Sequence, residues 1–178
     1  MLKQVGLNFI AVDPGVEESS THPDPRRRVM ENALYKAECV AKKGEDTVVI
    51  AADTVVYIDG VIMGKPGSEA EAVDMLRKLS DNVHKVFTGV AVIHPIVGSF
   101  VDFEETLVHI RRLSDGEILK YVESGEPMDK AGAYAIQGYG AVFVDRVVGC
   151  FHNVIGLPLA LLNNMFHKAG IDMMDKVL

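Results

Sequence analysis

The stretch from Thr47 to Pro66, TVVIAADTVVYIDGVIMGKP, constrains the fold more than any other part of the chain. It opens with a short apolar run, Val48 to Ala52, of the kind that fills the centre of a sheet. An acid ends that run at Asp53, and Thr54 leads into a second β-branched run, Val55 to Ile58. Asp59-Gly60 suits a two-residue type I′ turn, because both positions accept positive φ. The return arm, Val61 to Met63, continues into Gly64-Lys65-Pro66. The sequence therefore predicts a hairpin that carries Lys65 back towards the strand end where Asp53 sits. A carboxylate and an ammonium at the mouth of a sheet suit metal and phosphate chemistry.

The rest of the chain alternates helical and extended patterns. Val5 to Val12 is apolar and stops at Asp13-Pro14-Gly15, and the polar stretch up to Pro25 carries no regular period. From Arg26 to Lys43 the period turns helical, with Val29, Ala33, Ala37 and Val40 on one face and a stop at Gly44. Ser68 to Ser80 is a second helix, opened by a capping box of Ser68 and Glu71. Lys85 to His94 and Phe100 to Ile110 read as a β-hairpin. A third helix, Asp115 to Glu123, has the capping pair Ser114 and Glu117. After the glycine-rich section 125–138, two strands are expected within Ala141 to Val148 and Cys150 to Ile155, then a helix from Leu159 to Lys168. No repeat or linker breaks this order, which predicts a single α/β domain over residues 1–178.

Composition narrows the function. A chain of 178 residues can bury about 70% of its extended surface, enough for one core. No apolar run is long enough to span a bilayer, and two cysteines without a CxxC support neither a disulfide framework nor a zinc knuckle. A cytoplasmic location is expected. The net charge of −7 leaves no basic face for a nucleic acid, but a small phosphate ligand needs only a few local cations. The six histidines, His22, His84, His94, His109, His152 and His167, lack zinc spacing and are expected to be structural or exposed.

The candidate site residues are polar groups that interrupt apolar context. Asp53 follows a buried run, Glu18 follows a turn, Lys36 edges the inner stripe of a helix, and Lys65 ends a hairpin. Asp129, Lys130 and Gln137 lie in the glycine-rich section. An acid at a sheet end can bind Mg²⁺ or take a proton from water, and lysines with a glutamine suit an anionic ligand carrying a base. Each also has a plainer reading. Lys36 can snorkel to solvent, Asp129-Lys130 can be a surface ion pair, and Arg26 to Arg28 read better as a solvated helix start than as a phosphate clamp.

Five blocks in order then give a family likeness: AADTVV (51–56), GKP (64–66), HKVFTGV (84–90), GEPMDKAGAYAIQG (125–138) and NVIGLP (153–158). Together they resemble the Maf family of nucleoside triphosphate pyrophosphatases, in the branch acting on dTTP and UTP. The resemblance implies a distorted mixed sheet with flanking helices around a deep cleft, often in a homodimer. It implies hydrolysis of a nucleoside triphosphate to the monophosphate and pyrophosphate with a divalent cation, Mg²⁺, Mn²⁺ or Co²⁺. By the same likeness Asp53 takes the place of the proton acceptor and Glu18 that of a second acid, both able to meet the metal. Lys36 and Lys65 match phosphate-facing lysines, and Lys130 joins them as a substrate-binding candidate. Thr54 and Gln137 match positions tied to pyrimidine choice.

The sequence departs from the family pattern in three places. The family opens with a strand and a serine-containing loop running into Pro-Arg-Arg, ahead of the segment that here begins at Met1. The expectation is either a start placed too late or a shortened form with an exposed sheet edge and weakened triphosphate binding. Cys150-Phe151 stands where Ser-Tyr is usual and Ile110 where Phe is usual, both expected to be packing changes. A non-catalytic nucleotide-binding or regulatory protein, related to cell division or arrest, is the alternative expectation.

Overall fold

The computed structural model describes residues 1–41 and 46–176. Its elements are α1 (Pro25–Ala41), β1 (Val49–Ile58), β2 (Val61–Met63), α2 (Glu69–Leu79), β3 (Asn82–His94), β4 (Gly98–Ile110), α3 (Asp115–Glu123), β5 (Val144–Val148), α4 (Phe151–Ile155) and α5 (Leu159–Lys168). The five strands form one sheet in the order β2-β1-β3-β4-β5. Both ladders at its ends, β1 with β2 and β4 with β5, are antiparallel, and the second is distorted by a register shift between His109 and Ile110. The expected helix stop at Gly44, with Lys42 and Lys43 before it, lies outside the described residues.

The chain divides into two compact units, whose boundaries fall within β1, β3 and β4 and between α4 and α5. The first holds residues 1–53, 88–104 and 156–178. Pro25 opens α1 with its pre-set φ, and the Asp24 carboxylate accepts a 3.0 Å bond from the Arg26 amide. Ala33 and Ala37 then pack with Ala91, Val49, Ala51, Ile93 and Val101. The helix lies directly on the sheet: a Cβ on Gly89 would come within 2.3 Å of the Val29 carbonyl oxygen. Alternation along β1 sends Ile50 and Ala52 the other way, into a core with Leu162, Met165 and Phe166 of α5. Leu2 to Val5 form a short 3₁₀ turn against that core, while Phe9, Ile10 and Val12 of the expected apolar segment are exposed.

The second unit holds residues 54–87 and 105–155. The predicted hairpin turn is present, with φ of +50° at Asp59 and +80° at Gly60. Its ladder ends at Val56↔Met63, so Lys65 follows in an exposed loop. Val56, Ile58 and Met63 share a core with Leu76 and Leu79 of α2, Ile118 and Tyr121 of α3, and Phe143. The capping box of α3 is complete. That of α2 is half formed: Ser68 Oγ accepts from the Glu71 amide, but the Glu71 carboxylate reaches the Gly67 amide at 2.7 Å.

Two expectations need correction. β1 runs unbroken through Asp53, which is therefore a mid-strand residue and not a strand-end one. The acid does not end the strand because its side chain finds a lysine and an amide on α1. The strand expected within Ala141 to Val148 is present as Val144–Val148, after a 3₁₀ turn over Tyr139–Phe143. The expected strand over Cys150 to Ile155 is a helix, α4. Its β-branched residues are overruled by Asn153, whose buried Nδ2 donates to the Val86 carbonyl at 3.0 Å and to Thr106 Oγ1 at 2.9 Å.

Candidate active site

Glu18, Lys36 and Asp53, separated along the chain, meet in the first unit. Asp53 shares a strand face with Val49 and Ala51, the face on which α1 lies, so it points at the helix. Asn32 and Lys36 stand one helical turn apart, beside the buried Ala33 and Ala37. Lys36 Nζ donates to Asp53 Oδ1 at 2.5 Å and to Glu18 Oε1 at 2.9 Å. Asn32 Nδ2 donates to the other oxygen of Asp53, Oδ2, at 3.0 Å. Each carboxylate oxygen of Asp53 thus has a donor from α1, which fixes the plane of the group.

The loop before α1 is tied to the same residues. Asn32 Oδ1 accepts from the Ser20 amide at 3.0 Å, and Ser20 Oγ donates to Glu31 Oε2 at 2.5 Å. The Asp13 carboxylate accepts from the Gly15 amide at 2.9 Å, an Asx turn that closes the Asp-Pro-Gly signal. Glu18 is carried between these two anchors. Lys36 did not snorkel freely: its side chain is 19% exposed, while Asp53 is 2% and Glu18 46% exposed.

Burial pushes the Asp53 carboxyl above the usual carboxylate range, with the Lys36 ammonium and the Asn32 amide pulling the other way. Burial also opposes the charge on Lys36, but its bonds to Asp53 and Glu18 outweigh this and raise its pKa. The result is a cation held by two acids, with the inner acid locked in place and the outer one facing solvent. Such a cluster can polarise an anionic group, accept a proton and, through hard carboxylate oxygens, meet a divalent cation. Among the described residues no group of three His, Cys, Asp or Glu could hold a metal ion by itself.

The remaining candidates belong to the second unit. Thr54 follows Asp53 directly, and strand alternation turns it to the opposite face. Lys65 and Lys130 both act on Asp129. A 2.5 Å bond from Lys130 Nζ is the main cause holding the Asp129 carboxyl below its usual range, and the Lys65 charge adds to it. The Asp129–Lys130 pair is exposed to solvent. The Gly132 amide donates to the Gly64 carbonyl at 3.0 Å and joins the Gly-Lys-Pro loop to the glycine-rich section. Gln137 is exposed, in the bend of residues 135–140. Asn32 was not among the sequence candidates; its only signal was the four-residue spacing to Lys36.

Of the histidines, His84 is buried with Nε2 2.8 Å from the Tyr134 hydroxyl, a structural role as expected. Ile110 sits in the core at 5% exposure and Phe151 is 45% exposed, so the former is a packing residue and the latter a surface one.

The site thus joins a mid-strand carboxylate pinned by a helix lysine to an α/β sheet, with a glycine-rich turn section later in the sequence. The chain belongs to the Maf family: the model of Maf-like proteins matches residues 1–169. A dTTP/UTP pyrophosphatase of Caldicellulosiruptor saccharolyticus is 48% identical over 98% of this chain and 90% of its own. The proteins of the same name from Dictyoglomus turgidum and Pelotomaculum thermopropionicum are 43% and 45% identical, each over 98% of this chain and 92% of theirs.

Proposed function

We propose that the protein hydrolyses dTTP, UTP and related pyrimidine nucleoside triphosphates to the monophosphate and pyrophosphate, removing them from the nucleotide pool. The observation that carries this reading is the Lys36 ammonium bonded to both Glu18 and Asp53, with Asp53 oriented by Asn32. Water oxygen bonds to the α-phosphorus, the bond to the bridging oxygen breaks, and pyrophosphate leaves with that oxygen. Asp53 takes the proton from the attacking water. Lys36 supplies positive charge where negative charge grows. Lys65 and Lys130 bind phosphate oxygens, while Gln137 and Thr54 bear on the base.

Asp53 and Glu18 fit a hard divalent cation such as Mg²⁺, Mn²⁺ or Co²⁺, because both present carboxylate oxygens around one positive centre. With two protein carboxylates, the other positions would be filled by phosphate oxygens and water, and the ion would neutralise triphosphate charge. By family likeness the protein works as a cytoplasmic homodimer. No helix among the described residues is long and apolar enough to cross a membrane.

The test is pyrophosphate release from a panel of nucleotides with Mg²⁺ or Mn²⁺. We expect turnover of dTTP and UTP, lowered about 10²–10⁴-fold by Asp53→Asn. Equal rates for the two proteins would remove Asp53 from the mechanism.

A further inference from the structure

The bend that carries Gln137 is fastened at both feet by one carboxylate and one phenol. On the far side of Gln137, Glu126 Oε2 accepts from the Tyr139 amide at 3.0 Å and Oε1 from the Gly140 amide at 2.9 Å. On the near side, the Tyr121 hydroxyl accepts from the Ala135 amide at 3.0 Å. That hydroxyl donates in turn to Glu126 Oε1 at 2.9 Å, which joins the two feet. Three backbone amides within residues 135–140 thus converge on two side chains from outside the bend.

The fit around the carboxylate leaves no slack. Gly138, directly after Gln137, has φ of +83°, and a Cβ there would lie 2.5 Å from Glu126 Oε2. The clamp itself is anchored in the core, where the Tyr121 ring stacks edge-on against Phe143 with centroids 4.9 Å apart. Burial pushes the Tyr121 phenol up, so it stays a donor. The Glu126 carboxyl is buried in part, but the amides of Gly140 and Tyr139 and the Tyr121 hydroxyl hold it below its usual range, so it stays an acceptor. Against this fixed frame Gln137 itself is exposed.

We propose that Glu126 and Tyr121 are positioning residues for Gln137, and that they set base selectivity by holding residues 135–140 in one shape. The proposal rests on the reading of Gln137 as the residue that meets the base. A carboxamide offers a donor and an acceptor at fixed spacing, which matches the adjacent N–H and C=O on a uracil or thymine edge. It discriminates only if its backbone is fixed, because a free side chain can turn to suit another base.

The variants are Tyr121→Phe, which keeps the ring packing, and Glu126→Gln, which keeps the shape. Both are compared with wild type and Gln137→Ala. Amide exchange is read at Ala135, Tyr139 and Gly140, and kcat/KM for UTP against CTP. We expect exchange about tenfold faster or more at the amide whose acceptor is altered, and UTP selectivity reduced about tenfold. On the Gln137→Ala background neither variant should change selectivity further. Equal loss for both nucleotides, or unchanged selectivity despite faster exchange, overturns the proposal. A wild-type protein that turns over no nucleotide overturns the enzymatic reading instead, and with it the premise used here; exchange still reports the clamp.

Discussion

Replacing Lys36 with methionine tests the polar cluster as a structural unit. The side chain keeps its length and loses its charge, leaving Asp53 buried with, among the described residues, the Asn32 amide as partner. The Glu18 contact contributes little, at most about 1 kcal/mol, since Glu18 is 46% exposed and water screens the pair. The Asp53 contact is different: removing one partner of a buried pair costs about 3–5 kcal/mol. Because Asn32 still bonds Asp53, the lower end applies, about 3 kcal/mol. For a protein of this size that is a fall in Tm of roughly 6–12 °C. The loss must also depend on pH. Without the ammonium the Asp53 pKa climbs further, and an acid whose folded pKa lies above its unfolded value of about 3.9 loses stability as pH rises. The deficit should be largest near neutral pH and shrink on acidification. Thermal unfolding followed by circular dichroism at several pH values reads both effects. Adding Asp53→Asn to Lys36→Met should restore most of the loss, since the uncompensated charge is gone. A Tm within about 2 °C of wild type at neutral pH, or a loss that Asp53→Asn leaves unchanged, would mean that Lys36 does not compensate a buried Asp53 charge.

Two further outcomes follow from buried polar groups. His84 is 1% exposed, and burial, with the nearby His109 charge adding to it, lowers its pKa from 6.5 to about 4. Between those values only the unfolded chain binds the proton, so stability should fall as pH drops through that window, by about 3 kcal/mol in full. His84→Phe should flatten this slope in urea unfolding at pH 7 and pH 5, and an unchanged slope would count against it. Asn32→Leu removes the donor to Asp53 Oδ2 and the acceptor for the Ser20 amide. It should lower kcat about tenfold or more with little change in KM, because it disturbs the orientation of Asp53 and not nucleotide binding. A raised KM with kcat intact would contradict that assignment.

What could be read from the sequence was local. The turn at Asp59-Gly60, the capping box of α3 and the periods of α1, α2 and α5 each rest on residues a few positions apart, and all appear as read. Where a distant partner decided the outcome, local reading failed. The segment from Cys150 to Ile155 reads as extended, yet Phe151–Ile155 is helical, with Asn153 bonded to Val86 and Thr106. Asp53 looked like a strand end because nothing in its neighbourhood showed that α1 would cover it with Lys36 and Asn32. Of the polar residues that interrupt apolar context, Glu18, Lys36 and Asp53 do meet, while Lys65, grouped with them, belongs to the second unit. Asn32 and Glu126 escaped, since a single amide in a helix or an acid beside a proline has no pattern of its own. Their importance lies in bonds to residues 12 to 21 positions away.

The central claim is that Asp53 directs water at the α-phosphorus. Hydrolysis of UTP in water enriched in ¹⁸O, with products analysed by mass spectrometry, tests it directly. We expect one labelled oxygen in UMP and none in pyrophosphate, at a rate that Asp53→Asn lowers by about 10²–10⁴-fold. Label in pyrophosphate, release of orthophosphate in its place, or an undiminished rate in the variant would contradict it.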